Sequence, residues 1–299
     1  MPETIVDAIA TDGTIVYAAS LSRVFTSANR GDTWHETTPL PSEVTIGALE
    51  LTEGRLFAGT LGYGVFESPD QGRTWTPRNN GLSSMSDRRV LAFSVRGNRL
   101  YAGTDGSGIF DYDLKSNAGW TSFRSGIPSN LSWNVGDIVR VGSRLVAGAG
   151  GNGAVYLHDE GAPVWREVSY DVEMPGSLRL VFDAEAIPSV EDPVILIGAT
   201  SGLYRSVDRG ETWSRFDPDA GSISNISFAY HDFLVVAAVT NAGRGTRLYA
   251  SRDRGETWRS VVELPGVFVV DLKVVGDRLY SGRLDGLWHL PLAAFDETE

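Results

Sequence analysis

Four side chains in this sequence have types and positions suited to acid–base or anion chemistry. Asp105 stands in "TDGSG", Asp137 in "VGDIVRV", Asp271 in "VVDLKVV" and Arg179 in "LRLVFDA". Two carboxylates facing one another can divide the roles of general acid and general base, and a guanidinium beside them would hold an anionic group. The same residues would equally line a water-filled channel. A second set lies in loops: Tyr63, Arg88, Arg89, Asp105, Arg124, Trp133 and Asn134. An aromatic ring with planar polar neighbours suits a sugar ring or the anchor of a protein interface. Packing within the loops is the plainer use of those residues.

Several chemistries are excluded. The chain has no cysteine, so disulfides, thiolate metal sites and cysteine nucleophiles are out. His35, His158, His231 and His289 are widely separated and show no paired spacing, so no zinc site is expected. "GAGGNG" at 148–153 falls in a hairpin loop and opens no helix, so it is not a dinucleotide cradle. No cofactor and no metal are expected. The net charge of −12, from 26 basic and 38 acidic residues, argues against a nucleic-acid partner.

The elements that would hold these residues come from a repeat. "SANRGDTW", "SPDQGRTW", "SVDRGETW" and "SRDRGETW" begin at 27, 68, 206 and 251. Two weaker versions, "DYDLKSNAGW" and "LHDEGAPVW", end at Trp120 and Trp165. The six tryptophans are spaced by 41, 45, 45, 48 and 45 residues, and a four-stranded propeller blade takes about 40–45. Within each interval an entering strand such as "IGALEL" precedes a strand of small residues such as "RLFAGT" and a third such as "YGVFES". A fourth begins at the tryptophan. β-branched and aromatic runs bounded by Gly, Asp, Asn and Pro read as strands, and no helical period appears.

The pattern gives an all-β, seven-bladed β-propeller in one domain over 1–299. The expected blades are 1–40, 41–84, 85–129, 130–172, 173–220, 221–265 and 266–299. Radial sheets cover one another's faces and leave short edges. After "GLWHLPL" only "AAFDETE" remains, so either the seventh blade has three strands or a terminus supplies the fourth.

The octapeptide is expected to turn the chain between the third and fourth strands. Asp70, Asp208 and Asp253 accept amides within the turn, and Asn29 does so as a neutral acceptor. Gly31, Gly72, Gly210 and Gly255 take a positive φ. Trp34, Trp75, Trp213 and Trp258 pack between blades.

These residues resemble the Asp-box, or bacterial neuraminidase, repeat. The strict motif covers four blades, and the blade pattern covers nearly the whole chain. The resemblance implies a structural box that lies away from the binding face. It groups the chain with sialidases, xyloglucan-active hydrolases, the sortilin ectodomain and photosystem II assembly factors. Sialidase-like catalysis would need three converging arginines, and the family's arginine-isoleucine-proline motif is missing here. Xyloglucan-active relatives work between two propellers, and this chain has one.

Propeller ligands bind at one end of the channel, on loops that join blades or join second to third strands. The longest inter-blade loops are 78–89 and 124–134. Aligning the entering strands puts Ala8, Ala48, Ala92, Asp137, Leu180, Asn225 and Asp271 at one position. Asp7, Gly47, Leu91, Gly136, Arg179, Ser224 and Val270 stand before them. One of the two sets is expected to face the channel.

The expected function is a non-catalytic binding or assembly scaffold with a protein or oligosaccharide at the channel face. The alternatives are a glycoside hydrolase or lyase and a single-site sugar binder. No membrane span is expected. The default location is cytoplasmic, or secreted or periplasmic if a signal peptide has been removed.

Overall fold

The computed structural model describes residues 4–127, 134–149, 154–169, 181–188, 193–216 and 223–296. Among them the chain forms seven successive antiparallel sheets, six of four strands and a last one of three. The fold is an all-β, seven-bladed β-propeller. A single turn of 3-10 helix, Leu292–Phe295, follows the last strand. Two compact units result. One comprises Met1–Phe57, Ser68–Trp75 and Gly221–Glu299; the other comprises Ala58–Glu67 and Thr76–Ala220.

The inner strands are Ala8–Thr11, Ile46–Thr52, Val90–Arg96, Val135–Val141, Val181–Ile187, Ile223–His231 and Val269–Val275. They carry the β-branched and small residues that pack blade on blade. Glycine at the end of a second strand lets the next blade approach. A Cβ on Gly103 would lie 2.8 Å from Val135 Cγ1 on the inner strand that follows. Blades three and four thus bury their facing surfaces against one another.

Five inner strands open on a one-residue bulge, at Leu91, Gly136, Phe182, Ser224 and Val270. The bulge settles the register left open by the sequence. In blade five Asp183 pairs with Gly198 as Asp137 pairs with Gly148. Leu180 is therefore not the counterpart of Asp137; Asp183 is, three residues later. Four members of the second aligned set, Leu91, Gly136, Ser224 and Val270, are these bulge residues. Arg179 lies outside the described residues.

The inner strand is a sheet edge, and its outward amides need partners. The preceding blade supplies them. Asp137 Oδ2 accepts Ala184 N–H at 2.9 Å, and Asp271 Oδ2 accepts Ile9 N–H at 2.7 Å. Ser227 Oγ accepts Leu272 N–H at 3.0 Å, and Asn225 Nδ2 donates to Val269 O at 2.9 Å.

The octapeptide does form the turn between third and fourth strands. In all four copies the serine Oγ accepts the glycine amide, at 2.7 Å in Gly31, Gly72 and Gly255 and 2.8 Å in Gly210. The acidic side chain takes the threonine amide at 2.8–2.9 Å. Asn29 does the same, and its amide then donates to Thr33 Oγ1, reversing the polarity of that bond. Each glycine has positive φ, and so does the residue before it: Arg30, Gln71, Arg209 and Arg254. The turn is also a latch between blades. Arg278 donates to Arg30 O and Asp32, and Arg144 donates to Arg209 O and Glu211, so two turns are gripped by the blade before them. Trp34 packs on the cluster that joins Val16 and Ala18 to Tyr280 and Leu287 of the last blade, and Trp213 on the cluster holding Val155 and Leu157.

Removing a serine oxygen leaves a buried amide without an acceptor. Ser251→Ala is expected to lower stability by about 1–3 kcal/mol, and Ser260→Ala, on the exposed strand beyond the turn, by far less. Urea unfolding of both variants checks this; equal midpoints would contradict it.

Candidate functional site

The loop residues are brought together by the main chain. In the second unit, the turn between the second and third strands of one blade pairs with the start of the next blade. Gly62 and Gly64 each donate to Arg88 O at 3.0 Å, and Leu61 bridges Arg89. One blade further, Asp105 N–H donates to Arg89 O at 2.8 Å, and Asp105 bridges Asn134. Tyr63, Arg88, Arg89, Asp105 and Asn134 therefore follow one another across two blade junctions. Arg124 joins them by lying against Gly108 and donating to Ser107 O at 3.5 Å. Trp133 lies outside the described residues.

The 78–89 loop is held rigid from within. Asp87 is buried and accepts the amides of Ser83 and Ser84, both at 2.8 Å, and the Ser84 hydroxyl at 2.6 Å. Burial works against its charge, but bonds from Ser84, Ser107 and Ser83 outweigh it and hold the carboxyl at about 2. Arg88 Nε donates to Leu82 O at 3.0 Å. Arg89 pairs with Asp105 at 2.5 Å, with much of the guanidinium still in solvent. The surface so framed carries three exposed apolar side chains: Leu61 at 40%, Tyr63 at 45% and Met85 at 74%. Sequence reasoning found Tyr63 and missed Leu61 and Met85. Their signal was an apolar residue in an otherwise polar turn.

The axial carboxylates behave differently. Asp137 spends Oδ1 on its neighbour Ile138 N–H at 2.7 Å and Oδ2 on Ala184. Burial pushes Asp271 up, against Lys273 and the amides of Ile9 and Leu272. These groups tie strands together, as do Asn225 and Ser227. Glu50, not singled out from the sequence, is half-buried on Ile46–Thr52. Burial pushes it up to about 7, against the pull of Lys273. Among the described residues no group of three metal-ligating side chains stands together. Nor, among the described residues, is any helix long and apolar enough to cross a membrane.

No protein-family model matches the chain, and no curated protein matches it. Solved structures do share the fold. YCF48 from Cyanidioschyzon merolae is 17% identical, with a TM-score of 0.68 over 97% of this chain and 96% of that one. YCF48 bound to D1 peptide is 14% identical, with a TM-score of 0.68 over 96% of this chain and 93% of that one. The extracellular domain of the putative one component system BT4673 from B. thetaiotaomicron is 15% identical. Its TM-score is 0.75 over 96% of this chain and 38% of that one. At these identities the likeness is one of fold.

Glu50 gives a pH test with a definite sign. Its folded value, about 7, lies above its ordinary 4.5. As pH rises across that window, the unfolded chain releases a proton that the native chain keeps, so stability falls. Glu50→Gln should match the wild type near pH 4 and exceed it at pH 8 by on the order of 1 kcal/mol. Unfolding midpoints at the two pH values measure this, and a gain at pH 4 as large as that at pH 8 would contradict it.

Proposed function

We propose that the protein is a non-catalytic docking scaffold that binds a polypeptide on the loop face built by Leu61–Tyr63, 78–89, Asp105 and Arg124. The observation that carries this reading is the exposure of Leu61, Tyr63 and Met85 beside Arg88 and Arg89 on loops fixed by buried hydrogen bonds. Aromatic, methionine and arginine side chains are the ones enriched where proteins meet. A fixed loop also loses little conformational freedom on binding. The octapeptide turns support placing the chain with Asp-box propellers, where the box holds the fold and the opposite loops bind. One fold relative, YCF48, has been solved with a D1 peptide bound, which supports peptide docking as a use of such a disc. The engagement of Asp137 and Asp271 with backbone amides favours this reading over a catalytic carboxylate pair.

The test is quantitative affinity capture from extracts of the source organism with wild type and a Tyr63→Ala/Met85→Ala variant, beside a glycan array. A discrete protein set should be retained by the wild type and weakened at least about tenfold in the variant, as for a hot-spot pair. Glycan binding lost in the variant, with protein capture unchanged, would overturn the scaffold reading in favour of a sugar binder.

A further inference from the structure

Among the described residues the last blade has three strands where the other six have four. Its third strand, Gly286–Pro291, is the outermost of a three-stranded sheet. In blades one to three an amide of the fourth strand reaches one particular carbonyl of the third. Thr37 N–H donates to Val24 O at 2.9 Å, Arg78 to Val65 at 2.7 Å and Phe123 to Ile109 at 2.8 Å. Leu287 occupies that position in the last blade, one residue beyond the closing pair Arg283–Gly286, as Val24 stands one beyond Ser20–Arg23. Among the described residues no strand lies against it. Alternation along an antiparallel strand sends the peptide groups of Leu287 and His289 outward.

The side chains say the same. The third-strand aromatic following that position is buried in blades two to six, where Phe66 is 8% exposed, Phe110 6%, Tyr156 1%, Tyr204 1% and Tyr249 4%, and partly buried in blade one, at Phe25. Its counterpart Trp288 is 50% exposed, with the Arg283 guanidinium stacked 4.5 Å from its ring. The chain that follows turns away. Leu292 N–H donates to Asp277 O at 2.8 Å, and Phe295 is buried in a cluster formed by residues of blades six and seven. Arg252 and Arg259 bond its carbonyl, and Arg252 pairs with Asp296 at 2.6 Å.

The repeat specifies the occupant. The residues opposite the third-strand aromatic are Glu36, Pro77, Ser122, Glu167, Arg215 and Ser260. In every case a tryptophan stands two residues earlier: Trp34, Trp75, Trp120, Trp165, Trp213 and Trp258. We infer that the outer edge of Gly286–Pro291 docks an extended segment of a partner polypeptide that carries a tryptophan two residues before the residue set opposite Trp288. The segment runs antiparallel, gives an amide to Leu287 O and covers Trp288, completing the sheet by strand addition. This inference does not rest on the loop face proposed above.

The test uses the wild-type protein and a capped synthetic peptide with the sequence of this chain's own fourth strand, Gly-Trp-Thr-Ser-Phe-Arg (119–124). Its phenylalanine nitrogen is the amide that reaches the equivalent carbonyl, so a second peptide carries N-methyl there and a third has serine for tryptophan. Hydrogen exchange of the Leu287 and His289 amides should slow at least about tenfold with millimolar parent peptide, a shift of roughly 1.4 kcal/mol. Neither altered peptide should protect them. Absence of protection by the parent, or equal protection by the N-methyl peptide, overturns the inference. So does protection without peptide that rises with protein concentration alongside dimer in sedimentation, which would give the edge to a second copy.

Discussion

A β-sheet edge presents peptide groups that must be bonded, and a fold of seven small sheets multiplies its edges. Here, at three junctions, inner-edge amides are answered by side chains of the preceding blade. Asp271 reaches Ile9, Asp137 reaches Ala184, and Ser227 reaches Leu272. A buried amide without an acceptor costs about 1–3 kcal/mol, comparable to a sizeable share of a domain's total stability. These links therefore set both which blades adjoin and in what register. The bulge that opens the inner strand belongs to the same device, because it turns the residue after it toward the neighbouring blade.

The outer part of each blade is governed by a second device, the octapeptide turn. Serine and aspartate close the turn on itself, which lets a non-glycine residue sit at positive φ ahead of each glycine. The closed turn then offers a carbonyl and an acidic side chain to an arginine of the preceding blade. The tryptophan that ends the motif covers apolar surface at the same junction. The Leu61–Tyr63–Met85 surface sits on loops that main-chain bonds tie into the blade junctions.

The repeat made the architecture legible, since six tryptophans at near-constant spacing fix the blade count and the turn positions. Spacing left open whether the last blade has three strands or takes its fourth from a terminus. Phase within a strand was less legible. "LRLVFDA" is apolar at nearly every position, so nothing in it marks the bulge, and Asp183 was passed over for Leu180. Roles were least legible. Asp137 and Asp271 are carboxylates on inner strands whichever purpose they serve, and only their bonds to neighbouring amides separate a clasp from an acid–base group. Leu61 and Met85 were missed because residue type does not encode exposure, whereas Tyr63 stood out between glycines.

The central claim is that side-chain clasps on the inner edges join blade to blade. Its most direct test is residue-resolved hydrogen exchange on Asp271→Ala. The account predicts faster exchange at Ile9 and along Ala8–Thr11 and Val269–Val275, with the junction of Val135–Val141 and Val181–Ile187 unchanged. Protection at Ile9 equal to the wild type would show that the carboxylate is incidental and that packing alone holds the blades together.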